Sequence, residues 1–350
     1  MNSEKTSVGY EELGRFIRDL LVKHGASEHD ASVVAQGLVW ANLRGSDGHG
    51  VSRLPRYLSL ITRGEIDPKA QPRIVHDRAA TLMVDAGHGF GPVAVMYAAA
   101  LAVERAKQTG ICLALVRHTT HTGAIGRYAQ WIAERGCAAV LMGAGPALMA
   151  YYGARVASMA TSPIAIAVPS GKGPIVLDMA TSTISNGKIL QARATGAALP
   201  EGTVLNAAGQ PTVDASEAEI LLPLGGPKGA GLALMFEMLA SVLAAAPIQA
   251  RALGPEKRTR HTGNTAMFVI DVETFRPLGA FENDADALAA LVKALPRQAG
   301  FGEILLPGER GSHTEAARRK SGIPIPKKLW EELSGIAKAH GVMPLRAAAQ

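Results

Sequence analysis

The sequence ATLMVDAGHGFGPVAVMYAAALAVERAKQTGICLALV occupies residues 80–116 and decides the fold. Residues 80–84 form a short apolar segment of the kind found in strands. After a glycine-rich turn, residues 93–108 carry apolar side chains at helical spacing, and residues 111–116 form a second, fully apolar strand. A strand, a turn, a helix and a strand in this order predict an α/β fold.

The turn inside this stretch contains Gly87, Gly89 and Gly91. Glycines between a strand and a helix resemble the turn that binds dinucleotide phosphates in Rossmann folds. The spacing differs from that motif, because the third glycine follows two residues after the second and not three. The pattern therefore favours an ordinary glycine-rich turn.

Strands and helices continue to alternate beyond this stretch. Strands are predicted at 138–142, 164–168, 175–177 and 266–272, and helices at 126–135, 232–246 and 284–294. Both chain ends are predicted to be helical, at 10–23, from Ser27 to about 42, at 51–63 and at 328–340. We therefore expect an α/β domain of residues 76–314 and a helical domain formed by residues 1–75 together with 315–350.

The composition limits the class of protein. Apolar residues make up 47% of the 350 positions, which is ample for a core. The net charge is +6, but the basic residues are scattered, and the densest cluster is only Arg318, Arg319 and Lys320. A nucleic-acid-binding face needs clustered charge, so no nucleic-acid partner is expected. An anionic substrate and cofactor account equally well for a modest basic excess.

Cys112 and Cys137 each lie in an apolar stretch, which predicts buried thiols and no disulfide. The longest apolar run, residues 231–248, is interrupted by Glu237 and is too short for a bilayer core of about 30 Å. Residues 1–10 do not resemble a signal peptide. We expect a cytoplasmic protein that does not bind membranes.

Three candidate catalytic residues, His49, Arg53 and Tyr57, are spaced four residues apart. In a helix this spacing places side chains along one face. A histidine can exchange the proton of a hydroxyl or carbonyl oxygen, and an arginine can hold a carboxylate with two hydrogen bonds. The three residues therefore indicate a site for a 2-oxo or 2-hydroxy acid. The alternative is a solvated face with a capping histidine beside a glycine turn.

His118 and His121 lie in a threonine-rich turn after an apolar strand and before a helix. In α/β sheets ligands collect at such an edge, and the amides at the helix start suit a phosphate. A pair of histidines at this spacing without Glu or Cys is a weak zinc signal. No metal is expected here, and His121 is a candidate to face the substrate.

Further segments could contact a phosphate or a ribose. Residues 224–231 place four glycines around Lys228 before a long helix, which suits an anion, although a tight helix entry explains the glycines as well. The spacing of a P-loop is missing, which disfavours nucleotide triphosphate hydrolysis. Asp178 follows a strand, and residues 306–310 form a Pro-Gly turn with an acid and a base.

Six stretches together resemble the type-2 malate/L-lactate dehydrogenase family, namely residues 44–57, 118–128, 161–169, 177–188, 222–232 and 306–309. They span almost the whole chain in the expected order. The resemblance implies a non-Rossmann nicotinamide-binding fold with a mixed sheet, which agrees with the glycine spacing of residues 87–91. It also implies NAD or NADP as the cofactor, and a homodimer with sites near the subunit interface.

The resemblance implies roles for individual residues. His49 would be the catalytic acid or base, Arg53 the clamp for the substrate carboxylate, and His121 a further active-site residue at the cofactor edge. Thr161 would contact the substrate. The residues that would line the cofactor form four segments: His121, Thr122, Gly123, Ala124 and Ile125; Asp178, Met179 and Ala180; Lys228 and Gly229; and Leu306, Pro307, Gly308, Glu309 and Arg310.

The chain departs from the family pattern at three positions. Gly48 replaces the usual Ser before the catalytic histidine, and Ser162 replaces the usual Asn before a proline. Cyclic-imine reductases that resemble this family pair that Ser with an Asp at the position of Lys188. A Ser–His–Asp relay therefore cannot form, which favours an alcohol-type dehydrogenase.

The sequence thus predicts hydride transfer between NAD(P) and a small 2-hydroxy or 2-oxo carboxylate of the malate, lactate, ureidoglycolate or sulfolactate type. The alternative enzyme is an NAD(P)H-dependent reductase of a cyclic 2-imino acid, piperideine- or pyrroline-2-carboxylate. A basic binding protein without catalysis is the alternative from another class, and the aromatic-basic motif expected of it is missing.

Overall fold

The computed structural model describes residues 5–249 and 262–348, which form a mixed α/β structure. The strands are β1 (Lys5–Val8), β2 (Arg73–Arg78), β3 (Thr81–Asp85), β4 (Ile111–Thr119), β5 (Cys137–Ala144), β6 (Met149–Ala150), β7 (Ala157–Met159), β8 (Ile164–Val168), β9 (Ile175–Met179), β10 (Val204–Leu205), β11 (Ile220–Leu221), β12 (Gly263–Asp271) and β13 (Ile323–Pro326). The α-helices are α1 (Tyr10–Lys23), α2 (Glu28–Leu43), α3 (Leu54–Thr62), α4 (Gly91–Thr109), α5 (Gly126–Ala133), α6 (Asn186–Thr195), α7 (Pro227–Glu237), α8 (Leu278–Lys293), α9 (Glu309–Ser321) and α10 (Lys327–His340).

The largest sheet has seven strands in the order β2-β3-β4-β12-β5-β8-β9. Strands β3 and β4 are parallel, and the other neighbouring pairs are antiparallel. Alternate residues of β4 enter different cores: Cys112 and Ala114 pack in the cluster that contains α4 and α5, and Leu115 packs with Phe236 of α7. The mixed α/β sheet predicted from the sequence is confirmed, and helices cover both of its faces.

The two ends of the described chain share one apolar cluster. Strand β1 pairs antiparallel with β13, from Lys5 opposite Pro326 to Val8 opposite Ile323. Helices α1, α2, α3 and α10 contribute buried side chains to the same cluster. A third cluster lies under a small four-stranded sheet, β10-β11-β6-β7, and includes Ile189 of α6. The division into two domains at the proposed boundaries stays a prediction.

Several predicted elements are confirmed. Helix α1 has the predicted bounds, and Ser27 caps α2 by accepting a hydrogen bond from the Asp30 N–H at 3.0 Å. Cys112 and Cys137 are buried free thiols, as expected. Among the described residues, every helix is too short or insufficiently apolar to cross a bilayer.

Other elements differ from the prediction. The α-helix expected over residues 51–63 begins only at Leu54, because the three residues that follow the extended Gly50 (φ −92°, ψ −150°) adopt 3-10 geometry. Residues 47–49 and 51–53 form two short 3-10 helices instead. Helix α9 was not predicted, because its sequence has no apolar periodicity and none of its residues is buried.

The glycine-rich turn at residues 87–91 packs directly against the segment that contains His121. The N–H of Gly91 donates to Thr120 Oγ1 at 3.1 Å, and that hydroxyl donates to the Gly89 oxygen at 3.0 Å. A Cβ atom on Gly91 would lie 2.6 Å from the backbone oxygen of His121. The space beside the first turn of α4 is therefore filled by Thr120 and His121, as expected for an ordinary turn.

We expect Gly91→Ala to destabilise the protein by about 1–3 kcal/mol, because the methyl group overpacks against backbone atoms. The matched control is Gly335→Ala in the interior of α10, where a Cβ atom meets nothing within 4 Å. The control should stabilise the helix by roughly 0.5–1 kcal/mol. Urea unfolding of both variants measures the two effects, and equal stability of the two variants would contradict this account.

Candidate active site

The turn that carries His49 is held by one buried amide. Asn42, near the end of α2, is 2% exposed. Its Nδ2 donates to Asp47 Oδ1 at 2.7 Å, and its Oδ1 accepts from the Val51 N–H at 2.8 Å. Any side chain at Gly50 would collide with this amide. Asn42 therefore fixes both ends of the turn.

His49, Arg53 and Tyr57 do not lie along one helix face. His49 and Arg53 belong to separate 3-10 helices, and only Tyr57 lies on α3. The structure nevertheless brings His49 and Tyr57 together through His121. The His121 ring stacks on His49 with centroids 5.6 Å apart and planes 11° apart, and it lies 5.9 Å from the Tyr57 ring.

The hydrogen bonds of His121 define its tautomer. Its Nδ1 lies 2.7 Å from the Tyr57 hydroxyl and 3.3 Å from the N–H of Gly123. An amide nitrogen can only donate, so Nδ1 is an acceptor and the neutral ring carries its proton on Nε2. Burial raises the pKa of the Tyr57 phenol, which therefore stays protonated and donates to Nδ1 as well.

The guanidinium of Arg53 is bound to the protein through its Nε. Its Nε donates to the backbone oxygen of Gly48 at 2.5 Å. Its two terminal nitrogens have no hydrogen-bond partner among residues 5–249 and 262–348. Desolvation lowers the pKa of this half-buried guanidinium, so a nearby anion would favour its charged form. Two parallel N–H groups are the arrangement that binds a carboxylate bidentately.

His49 is neutral at neutral pH. Desolvation, with a smaller contribution from the charge of Arg53, lowers the pKa of His49 to about 4. Its ring has no hydrogen-bond partner within the described part of the chain. The backbone of Gly48 touches the start of α6, because a Cβ atom at this position would lie 3.3 Å from the Gly187 Cα. His49 therefore has a free nitrogen lone pair and no adjacent hydroxyl to orient it.

His118 and His121 contact different residues, although they are three positions apart. His118 Nδ1 lies 3.0 Å from Asp85 Oδ2, and the Asp85 carboxylate also accepts from Arg117 Nε at 3.0 Å. Among residues 5–249 and 262–348, no group of three or more His, Cys, Asp or Glu side chains could hold a metal ion. His118 therefore belongs to a structural ion cluster beside the His121 segment.

The side chain of Asp178, in β9, contacts the start of α5. Its Oδ2 accepts from the N–H of Gly126 at 3.0 Å, and a Cβ atom on Gly126 would collide with the carboxylate. The residue is exposed, yet enough protein surrounds its carboxyl that desolvation raises the pKa to about 6, against the opposing effects of the Gly126 N–H and of Arg44. The loop from His121 to Ile125 leads directly into the same helix.

The predicted cofactor segments around Asp178 and Lys228 meet through Thr181. The backbone oxygen of Thr181 accepts from the Leu224 N–H at 2.8 Å, and a Cβ atom on Gly229 would lie 2.5 Å from the same backbone oxygen. The Thr181 N–H and hydroxyl each donate to the Thr161 oxygen at 2.9 Å. Residues 161, 178–181 and 224–229 are therefore joined by backbone contacts.

Arg44, at the end of α2, binds the segment of residues 306–310. Its Nη2 donates to the Gly308 oxygen at 2.8 Å, and its Nη1 donates to Ser312 Oγ at 3.2 Å. A Cβ atom on Gly308 would lie 2.7 Å from the backbone oxygen of Val176 in β9, two residues before Asp178. The structure thus places the last predicted cofactor segment beside the strand that carries Asp178.

The residues that hold these segments in place were not predicted from the sequence. Asn42, Arg44 and Asp47 precede His49, and Arg318 reaches Asp47 from α9 with distances of 2.6 and 3.0 Å. The run from Arg318 to Lys320 drew attention only as a charge cluster. The one available signal for Asn42 was an amide near the end of an apolar helix.

Comparisons with known proteins identify the family. The profile of the family described as Malate/L-lactate dehydrogenase matches residues 8–334. The malate dehydrogenase of Pyrococcus abyssi is 35% identical over 96% of this chain and 95% of that protein. A Delta(1)-pyrroline-2-carboxylate/Delta(1)-piperideine-2-carboxylate reductase of Pseudomonas syringae pv. tomato is 33% identical over 95% of this chain and 96% of its own length.

The solved structure of a sulfolactate dehydrogenase from Methanocaldococcus jannaschii superposes with a TM-score of 0.88 and 33% identity. The match covers 96% of this chain and 98% of the other. The likeness therefore extends over the whole fold.

The lowered pKa of His49 makes stability depend on pH. The folded protein binds the His49 proton less tightly than the unfolded chain, so this residue costs stability as the pH falls from about 6.5 towards 4. Relative to His49→Gln, the wild type should lose at most about 1.4 kcal/mol per pH unit in that window, and nothing between pH 7 and 8. Urea unfolding at pH 5.0, 6.0 and 7.5 measures the difference. Exposed His29, replaced by Gln, is the matched control, and identical pH dependence of the two variants would contradict a desolvated His49.

Proposed function

Since the chain belongs to the malate/L-lactate dehydrogenase family, we propose that it is an NAD(P)-dependent dehydrogenase of a small 2-hydroxy carboxylate. The family makes it an oxidoreductase. The proposal adds a substrate class, a cofactor and roles for individual residues.

One observation carries the substrate class: an arginine with two unpartnered terminal nitrogens among the described residues and a neutral histidine lie on adjacent short helices. Arg53 has both terminal nitrogens unpartnered among the described residues, and its Nε is bound to the residue just before His49. A 2-hydroxy acid has its carboxylate and its hydroxyl on neighbouring carbons. Arg53 would bind the carboxylate, and His49 would meet the hydroxyl oxygen at C2.

Proton handling follows from the protonation states. The lowered pKa of His49 leaves the ring neutral at pH 7, so it can accept the hydroxyl proton during oxidation and return it during reduction. His121 presents its Nε2–H as a donor, and Tyr57 and Gly123 hold that tautomer through Nδ1. His121 would thus stabilise an oxygen that gains negative charge.

The residues of the predicted cofactor segments fit a nicotinamide dinucleotide. The Asp178 carboxylate can accept from ribose hydroxyls. The start of α7, with positive φ at Gly225 and Gly226, places the ammonium of Lys228 at the positive end of the helix dipole, an arrangement that suits phosphates. When bound, the nicotinamide supplies the hydride acceptor or donor.

The 2-hydroxy acid is favoured over a cyclic imine by the surroundings of His49. Position 48 has no hydroxyl and position 188 has no carboxylate, and the Gly48 backbone is packed against Gly187. The neutral histidine thus acts without a relay. The pyrroline- or piperideine-2-carboxylate reductase remains the second candidate, because a relative at 33% identity has that activity in its name.

We further propose a homodimer with a cytoplasmic location. Exposed apolar side chains support an interface: Leu232, Met235 and Met238 lie on α7 and its π-helical continuation, Met238–Val242, with exposed fractions of 43%, 54% and 43%. Residues at this three-residue spacing lie on one side of a helix, and exposed apolar patches are typical of subunit interfaces.

The proposal is tested by measuring turnover and cofactor binding. Fluorescence titration with NADH and NADPH should give binding of at least one, and Asp178→Asn should weaken it. Oxidation of malate, lactate and sulfolactate is then compared with reduction of piperideine-2-carboxylate. Turnover of a hydroxy acid supports the first candidate, turnover of the imine alone supports the second, and neither turnover nor cofactor binding refutes both.

His49 and Arg53 should affect different kinetic constants. His49→Ala should lower kcat on the order of a hundredfold or more, because a general base is lost. Arg53→Lys should raise KM for the acid at least about tenfold, because an ammonium cannot form the bidentate pair. Arg56→Lys, at an exposed position on α3, is the matched control and should leave both constants unchanged. Activity of His49→Ala within a few-fold of the wild type would remove His49 from the mechanism.

A further inference from the structure

We infer that Arg318 and Asp47 are positioning residues for the candidate active site. The pair lies outside the site itself and acts on the turn that carries His49 and the anchor of Arg53. This inference rests on the proposed function, because it assigns a kinetic consequence to a contact between two elements far apart in sequence.

The contact is a bidentate ion pair. Arg318 Nη1 lies 2.6 Å from Asp47 Oδ1, and Nη2 lies 3.0 Å from Oδ2. Nη1 also donates to the backbone oxygen of Asn42. The Arg318 side chain is only 16% exposed. The Asp47 side chain is 50% exposed, so it is the bidentate geometry and the shielding of Arg318 that restrain this pair more than an ordinary surface ion pair.

Asp47 connects this pair to the reacting groups. Its carboxylate also accepts from Asn42 Nδ2, and its backbone oxygen accepts from Ser52 Oγ at 2.7 Å. The next residue, Gly48, provides the backbone oxygen that binds Arg53 Nε, and His49 follows directly. A displacement of Asp47 therefore moves both the proposed base and the proposed carboxylate clamp.

Helix α9 is held by polar contacts, which include the ion pair of Lys293 with Glu309 and the stacking of Arg319 on the Tyr10 ring. None of its residues is buried, so apolar packing does not fix its position. Two arginines attach it to the end of α2: Arg44 binds its N-terminal turn at Gly308, Ser312 and Glu315, and Arg318 binds Asp47 near its other end. The positions of α9 and of the His49 turn thus depend in part on the same polar contacts.

The helix also links the two halves of the site. Its N-terminal residues Glu309 and Arg310 belong to a predicted cofactor segment, and Arg318 lies two turns further along. Arg44 is engaged only with the first half of the helix. Loss of Arg318 should therefore disturb the substrate side of the site and leave the cofactor side in place.

The test compares Arg318→Met and Arg318→Lys with Lys320→Met, which removes an exposed cation from the same helix. With the best substrate found for the wild type, Arg318→Met should lower kcat/KM at least tenfold, through both a lower kcat and a higher KM. The Kd of the reduced cofactor should stay within twofold. Arg318→Lys should recover part of the loss, and Lys320→Met should match the wild type.

A double-mutant cycle with Asp47→Asn separates positioning from simple destabilisation. The Arg318→Met, Asp47→Asn double variant should be no worse in kcat/KM than the more impaired single variant. A lowered Tm with unchanged kcat/KM for the folded protein overturns the inference, and so does an additive cycle. A wild type that turns over none of the tested acids or imines refutes the proposed function, whereas an active wild type with a fully active Arg318→Met refutes only the positioning role.

Discussion

The buried amide of Asn42 is the contact on which the candidate site depends. Burying an amide is costly unless its donors and acceptors are bonded, and this amide binds the Asp47 carboxylate and the Val51 N–H. Without it the buried Val51 N–H would be unpaired, at a cost of about 1–3 kcal/mol. Only a glycine fits at position 50, because any side chain there would collide with the amide. The chain between α2 and α3 forms two short 3-10 helices, and His49 belongs to the first of them.

A second constraint fixes the opposite wall of the site. The glycine-rich turn before α4 and the segment after β4 are packed backbone to backbone, with the Thr120 hydroxyl bonded to both Gly89 and Gly91. His121 is therefore placed by the central sheet, whereas His49 is placed by the helical layer of the chain ends. The two walls meet at the 2.7 Å contact between Tyr57 and His121.

The electrostatics of the site follow from limited access of water. Desolvation keeps His49 neutral and disfavours the charge on Arg53, whose two terminal nitrogens have no partner among the described residues. A substrate carboxylate would compensate that charge and leave the neutral imidazole free to take a proton. Because residue 48 is glycine, the proposed base would work without a hydroxyl at its side, unlike the relay expected for a cyclic-imine reductase.

The sequence by itself determined the features that depend on local periodicity: the bounds of α1, the cap at Ser27, and the alternating strands of the mixed sheet. It also singled out His49, Arg53 and His121 as chemically capable. Only the tertiary structure showed that residues 51–53 form a 3-10 helix in place of the first turn of the expected α-helix and that Arg318 reaches Asp47 across 271 positions of the chain. Helical and strand periods are written in neighbouring residues, whereas a polar contact between distant elements has no spacing to reveal it, so its partners become visible only when the chain is folded.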